Sequence, residues 1–147
     1  MEIHQASESD IPVLIRLQQE WFDEGCVFGY MPDNPEQIKA ALGPFFLIAE
    51  SDDKIVGLIS GSKYVSDGLA IVPKDVAYLE IDDIYISPQF RSTGIGGLLV
   101  DALLEKAKQQ EFGYILVYSA TKDIHTVLKF YESNGFQSWY IQMFQKL

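Results

Sequence analysis

Arg91-Ser92-Thr93-Gly94-Ile95-Gly96-Gly97 is the segment of this chain best equipped for chemistry. It follows an apolar run, Ala77 to Ser87, and opens an amphipathic one. The first N–H groups of a helix point outward and carry partial positive charge, so they solvate an anion. Gly94 and Gly96 leave those amides open, and a β-carbon at either position is expected to crowd a bound phosphate. Ser92 and Thr93 add hydroxyl donors, and Arg91 adds a fixed charge with a forked donor set. The spacing is neither G-x-G-x-x-G nor G-x-x-x-x-G-K, which sets this turn apart from dinucleotide and P-loop turns. A glycine turn that only packs helix on strand is the other reading of the same residues.

The elements that must position this turn follow from periodicity and punctuation. Glu2 to Ala6 reads as a first strand. Ser7 to Asp10 caps a helix burying Leu14, Leu17 and Trp21, and Gly25 ends it. Glu36 to Leu42 makes a short second helix before Gly43-Pro44. Phe45 to Glu50 and Lys54 to Tyr64 are two strands, and Ala77 to Ser87 is a long one. In the next helix Ile95, Leu98, Leu99, Ala102, Leu103 and Ala107 keep the spacing of one buried face. Tyr114 to Ser119 is a further strand, Lys122 to Asn134 the last helix, and Phe136 to Lys146 two short closing strands. No repeat or linker interrupts residues 1–147, so one mixed α/β domain is expected.

The run from Tyr78 to Gly97 resembles the first motif of the GNAT acetyltransferases, in which R/Q-x-x-G-x-G/A follows an apolar-x-apolar-x-Pro strand end, here Ile84, Ile86 and Pro88. Downstream, Phe130-Tyr131-Glu132-Ser133-Asn134-Gly135-Phe136 resembles that family's F-Y-x-x-x-G-F element. The resemblance implies the GNAT fold: a mixed, mostly antiparallel sheet of about six or seven strands with about four helices, its fourth and fifth strands splayed. It implies acetyl-CoA as acyl donor, its pyrophosphate on Arg91, Ser92, Thr93, Gly94, Ile95, Gly96 and Gly97. The pantetheine arm would lie along Ile84, Tyr85 and Ile86, where a backbone N–H could polarise the thioester carbonyl.

The reaction so implied is transfer of acetyl to a primary amine of a small molecule or peptide, by direct attack in a ternary complex. Tyr131 falls where many members carry the tyrosine that protonates the departing thiolate; an aromatic core position is the alternative. Glu80 and Asp82 fall where members carry a base or an acid that orients a cationic amine. Strand alternation puts residues 80, 82, 84 and 86 on one side if no bulge intervenes. The stretch Tyr78 to Ile86 resembles the strand of diamine acetyltransferases, which favours a small amine. The family often has an Asn early in the last helix; Lys122-Asp123-Ile124-His125 lacks one, leaving Asp123 and His125 as candidates for its contact. Trp21, Phe22, Phe28 and Tyr30, interleaved with Asp23, Glu24 and Asp33, suit either an acceptor lining or a cover for the sheet. A non-catalytic acyl-CoA sensor or interaction module on the same scaffold is the second class of function.

Bulk composition narrows the partners. The chain of 147 residues is 48% hydrophobic and 22% charged, which suits a folded protein. Its net charge of -10 disfavours nucleic acid and suits a cationic acceptor. One cysteine, Cys26, and two histidines, His4 and His125, leave no internal disulfide and argue against a metal centre. No apolar run reaches the roughly 18 residues of a membrane helix. Met1 to Asp10 is too polar for a secretory signal, so a cytoplasmic location is expected. A homodimer stays open.

Overall fold

The computed structural model describes all residues from Met1 to Leu147. Strand β1 (Glu2–Gln5) and a single 3-10 turn (Glu8–Asp10) lead into α1 (Ile11–Glu24) and α2 (Pro35–Ala41). Then come β2 (Phe46–Ser51), β3 (Lys54–Val65), β4 (Ala77–Ile86), α3 (Ile95–Gln109), β5 (Ile115–Val117) and α4 (Ile124–Ser133). The strands form one sheet in the order β1-β2-β3-β4-β5. Every pairing is antiparallel except β4 with β5, which is parallel.

Local chemistry sets the helix boundaries. Ser7 donates its backbone N–H to Asp10, which fastens the entry to α1, and Gly25 ends that helix at a φ of 62°. Asn34 and Gln37 exchange hydrogen bonds as a capping box at the start of α2. Asp123 accepts from the Thr126 N–H and so caps α4. That carboxylate, one of the two candidates for the missing asparagine's contact, is committed to its helix.

Apolar side chains divide between the two faces of the sheet. Leu14, Leu17 and Ile38 from α1 and α2 cover Ile48, Leu58 and Tyr85. On the other face Leu99, Val100 and Leu103 of α3, with Tyr131 of α4, cover Leu47, Ile59, Leu79 and Ile81. Phe46 to Ala49 is buried at four successive positions, as expected of a strand covered on both sides. No helix is long and apolar enough to cross a membrane.

The sheet has five strands, fewer than the six or seven expected, because Phe136 to Leu147 forms no strand. Trp139, Ile141 and Met143 alternate with other residues in strand fashion, but a period-two pattern does not supply a partner. Of the two edge strands, β1 and β5, β5 is only three residues long, which gives a further strand little backbone to pair with. The segment is held by aromatic contacts instead, including Phe144 edge-on to Phe28 at 5.9 Å.

Candidate active site

Between β4 and β5 the sheet opens. Leu79, Glu80 and Ile81 pair with Ile115, Leu116 and Val117, and pairing then stops. From Asp82 to Ile86, β4 keeps β3 as its neighbour on one side and has no strand on the other. This is the splay the family resemblance implies. Opposite the gap, Phe28 N–H bonds to Ala120 O and Lys122 N–H to Cys26 O, both at 2.9 Å. The same loop rests on β4 through Tyr30 on Trp21 and Trp21 on Tyr85, with centroids 4.2 and 5.5 Å apart. The α1–α2 loop therefore spans from β4 to the chain beyond β5.

At the end of β4 lies the anion turn. Ser92 and Gly94 both take left-handed φ values, 62° and 87°, which turn successive N–H groups toward one side. None of the backbone N–H groups from Ser92 to Gly97 donates to another group of the chain. The space beyond Gly94 is empty to 4 Å, so a phosphate has access. No acidic side chain occupies the first turn of α3 to compete for those amides. This donor set fits the pyrophosphate of a coenzyme A donor.

Three residues of the turn make contacts within the chain that the sequence did not suggest. A β-carbon on Gly96 would lie 2.9 Å from the Phe130 ring, so the absence of a side chain here is required by the close approach of α3 to α4. Arg91 points its fork at α1, with Nη1 and Nη2 donating to the two Glu24 carboxylate oxygens at 2.9 and 2.7 Å. Its Nε donates to Ile86 O. Glu24 is held below its ordinary pKa, chiefly by that guanidinium, and the Arg91 pKa is raised in return. Thr93 spends its hydroxyl on Phe90 O, at 2.5 Å. The backbone amides and the Ser92 hydroxyl are thus the free donors, and Arg91 fastens the turn to α1.

The strand residues part company at a bulge. Ser60 pairs with Asp83 and Gly61 with Ile81, so Asp82 is the extra residue. The bulge cancels the expected alternation of 80, 82, 84 and 86 on one side. Ile84 and Ile86 pack into the α3 side with Leu79 and Ile81, whereas Tyr85 is buried on the α1 side. Tyr85 donates its hydroxyl to Glu24 at 2.6 Å, which leaves only its backbone for a pantetheine arm. Asp82 is exposed and accepts from the Ser62 hydroxyl at 2.5 Å. Glu80, with no hydrogen-bond or ion-pair partner in the chain, has its pKa raised by burial and then by Asp82.

Asp83 is the residue that sequence reasoning did not single out. It is half-buried, and burial, with Asp33 and Asp82 nearby, pushes its pKa up to about 6. Its charge acts on two phenols, Tyr131 and Tyr30, both raised well above the usual tyrosine value mainly by burial. The Asp82-Asp83 doublet in an apolar strand was the available signal, since two successive acids cannot both face solvent on a regular strand. Tyr131 is buried between Phe130 and Phe136, centroids 5.1 and 5.3 Å away, and its hydroxyl has no partner in the chain. Tyr30 carries a fully buried hydroxyl that is also unpaired. Beside it an open pocket of about 270 Å³ is lined by Trp21, Phe22, Cys26, Val27 and Tyr30, so most of the predicted aromatic loop does line a cavity. Phe28 stands outside it, with Lys122 Nζ 5.3 Å from its ring. No group of three or more metal-binding side chains occurs.

A sheet split between β4 and β5 beside free helix-terminal amides is the architecture that the GNAT resemblance implies. The Acetyltransferase (GNAT) family model matches residues 12–136, and the chain belongs to that family. No curated protein sequence matches it. Among solved structures, the aminoglycoside 6'-N-acetyltransferase AAC(6')-IG from Acinetobacter haemolyticus superimposes with a TM-score of 0.72 at 20% identity, covering 100% of this chain and 99% of that one. An aminoglycoside acetyltransferase from an uncultured soil metagenomic sample gives 0.73 at 21%, covering 99% and 95%. AAC(6')-Iy, in complex with CoA, gives 0.73 at 17%, covering 99% and 98%. At these identities the likeness is one of fold.

Proposed function

We propose that this protein transfers an acetyl group from acetyl-CoA to a primary amine of a small, cationic molecule, in a ternary complex and within a single domain. The observation that carries this reading is the set of unpaired N–H groups from Ser92 to Gly97 at the mouth of the β4–β5 gap. Those amides would hold the pyrophosphate, and the unpaired edge of β4 from Asp82 to Ile86 would hydrogen-bond the pantetheine arm. Bound there, acetyl-CoA supplies an activated thioester.

The amine must lose a proton, and the leaving sulfur must gain one. A carboxylate on β4 takes the first; Glu80 and Asp82 remain candidates, and Asp83 joins them as a half-buried acid on the same strand with a pKa near working pH. The amine nitrogen then bonds to the carbonyl carbon as the C–S bond breaks. Tyr131 donates its proton to sulfur; burial, by raising its pKa, keeps the phenol protonated beforehand. That several similar folds are aminoglycoside acetyltransferases supports a polar, amine-bearing acceptor. The deciding experiment is thiol release from acetyl-CoA against a panel of amines, with thermal unfolding alongside. Saturating acetyl-CoA at about 100 times its Kd is expected to stabilise the fold by about 2.7 kcal/mol. A thermal shift without thiol release from any amine would favour the acyl-CoA sensor instead.

A further inference from the structure

Outside the gap, on the same face as Glu80, β3, β4, β5 and the C-terminal segment form an aromatic enclosure. An open pocket of about 180 Å³ is walled by Leu69, Tyr78, Tyr118, Trp139 and Tyr140, with Glu80 at its side. Tyr64 stacks on Tyr78 at 5.7 Å and lengthens one wall; Trp139 and Tyr140 meet at 4.6 Å and form the other. Trp139, Tyr140 and Tyr118 are all substantially exposed, at 41%, 58% and 65%. Lone exposed aromatics need no explanation, but several converging on one concavity do.

We propose that this pocket receives a second cationic group of the acceptor, so that the preferred acceptor is a di- or polycationic amine and the C-terminal Trp139–Tyr140 pair helps to set that preference. The proposal rests on the acetyl-transfer reading for the word acceptor; the binding event itself does not. Aromatic faces attract ammonium groups, and the attraction grows as water is excluded. Glu80 supplies the counter-charge: it has no partner in the chain, and no lysine or arginine lines the pocket. Burial and the nearby Asp82 disfavour its ionised form, an imbalance that a bound cation would reverse.

Position makes the pocket part of the acceptor path. Glu80 lies one residue before Ile81, the last position where β4 and β5 pair. The near part of the gap, from Asp82 to Ile84, is two to four residues further along β4, roughly 7–13 Å at strand rise. An amine held at Glu80 can therefore present a second amine, several bonds away, to the gap. The chain's charge of -10 draws such cations in.

The test is calorimetric titration of the whole protein, without acetyl-CoA, using 1,7-diaminoheptane and heptylamine as probes. Both probes share an apolar chain and differ in one charge. Wild type should bind the diamine at least about fivefold more tightly, the weight of one cation–aromatic contact. Trp139→Ala lies in an irregular, exposed segment and should fold; it should cut that preference about fivefold, as should Glu80→Gln. Equal binding of the two probes by wild type, or an unchanged preference in both variants, overturns the proposal. Thiol release separates the two readings. Turnover with no diamine preference in binding or in kcat/KM leaves acetyl transfer standing and removes the pocket. Diamine preference with no thiol release from any amine keeps the pocket and removes the transferase reading.

Discussion

Gly96→Ala puts the division of labour within the anion turn to a direct trial. A β-carbon there meets Phe130 Cε2 at 2.9 Å and Cζ at 3.2 Å, closer than carbon atoms pack without strain. Phe130 is half-buried and packs edge-on against Tyr131, so its ring has limited room to withdraw. Overpacking of this kind costs about 1–3 kcal/mol. Alanine recovers part of this through helix propensity, no more than about 0.5–1 kcal/mol in the first turn. The net loss is about 1–2 kcal/mol, a fall in Tm of roughly 3–8 °C for a chain of this size. Gly97→Ala is the internal control: one residue on, its β-carbon would lie 3.4 Å from Asn134 Oδ1, an ordinary contact, and the Tm should hold or rise slightly. Phe130→Leu on top of Gly96→Ala should restore part of the loss, with a coupling of at least about 0.5 kcal/mol. The assay is thermal unfolding followed by circular dichroism, with the Kd for CoA measured beside it. An unchanged Tm joined to a large loss of CoA affinity would refute the packing argument and return Gly96 to the phosphate site.

Tyr131→Phe should keep CoA affinity and lower kcat by about 10²–10⁴-fold if its hydroxyl is the acid; a rate within about twofold of wild type, with chemistry limiting, would make Tyr131 a core residue. Asp83→Asn bears on pH. The folded pKa of Asp83, about 6, lies above its ordinary 3.8, so its ionisation opposes folding and the stability it retains when protonated is lost as pH rises through 6. The variant should therefore be more stable than wild type above pH 7, by up to about 3 kcal/mol, and no more stable near pH 4, as chemical denaturation at the two pH values will show. If Asp83 is also the base, the acid limb of the kcat/KM profile near pH 6 should vanish with it. Glu24→Gln releases the Arg91 fork and removes a negative charge beside the turn; CoA should bind a few-fold more tightly, whereas weaker binding would show that the ion pair holds the turn in shape.

Much of this protein is settled by neighbours in sequence. The Ser92 to Gly97 turn is a local object: where an apolar strand runs into an amphipathic helix, the free amides and left-handed residues arise within a few positions, so the turn and the family were both legible. Helix ends at Gly25 and at Asn34 to Gln37 are local in the same way. What the tertiary structure decided depends on partners far along the chain. The bulge at Asp82 exists only against β3, and by changing parity it takes Asp83 off the face that Leu79 and Ile81 share, where simple alternation would have put it. Arg91 carries the same fork whatever it faces; only the placement of α1 brings Glu24, 67 positions away, to occupy it. Gly96 looks like Gly94 in sequence, and only the packing of α4 sets Phe130 against it. The closing segment keeps a strand-like pattern in sequence. Whether it becomes a strand rests on the length of β5, and a three-residue edge leaves Trp139 and Tyr140 to wall a pocket instead.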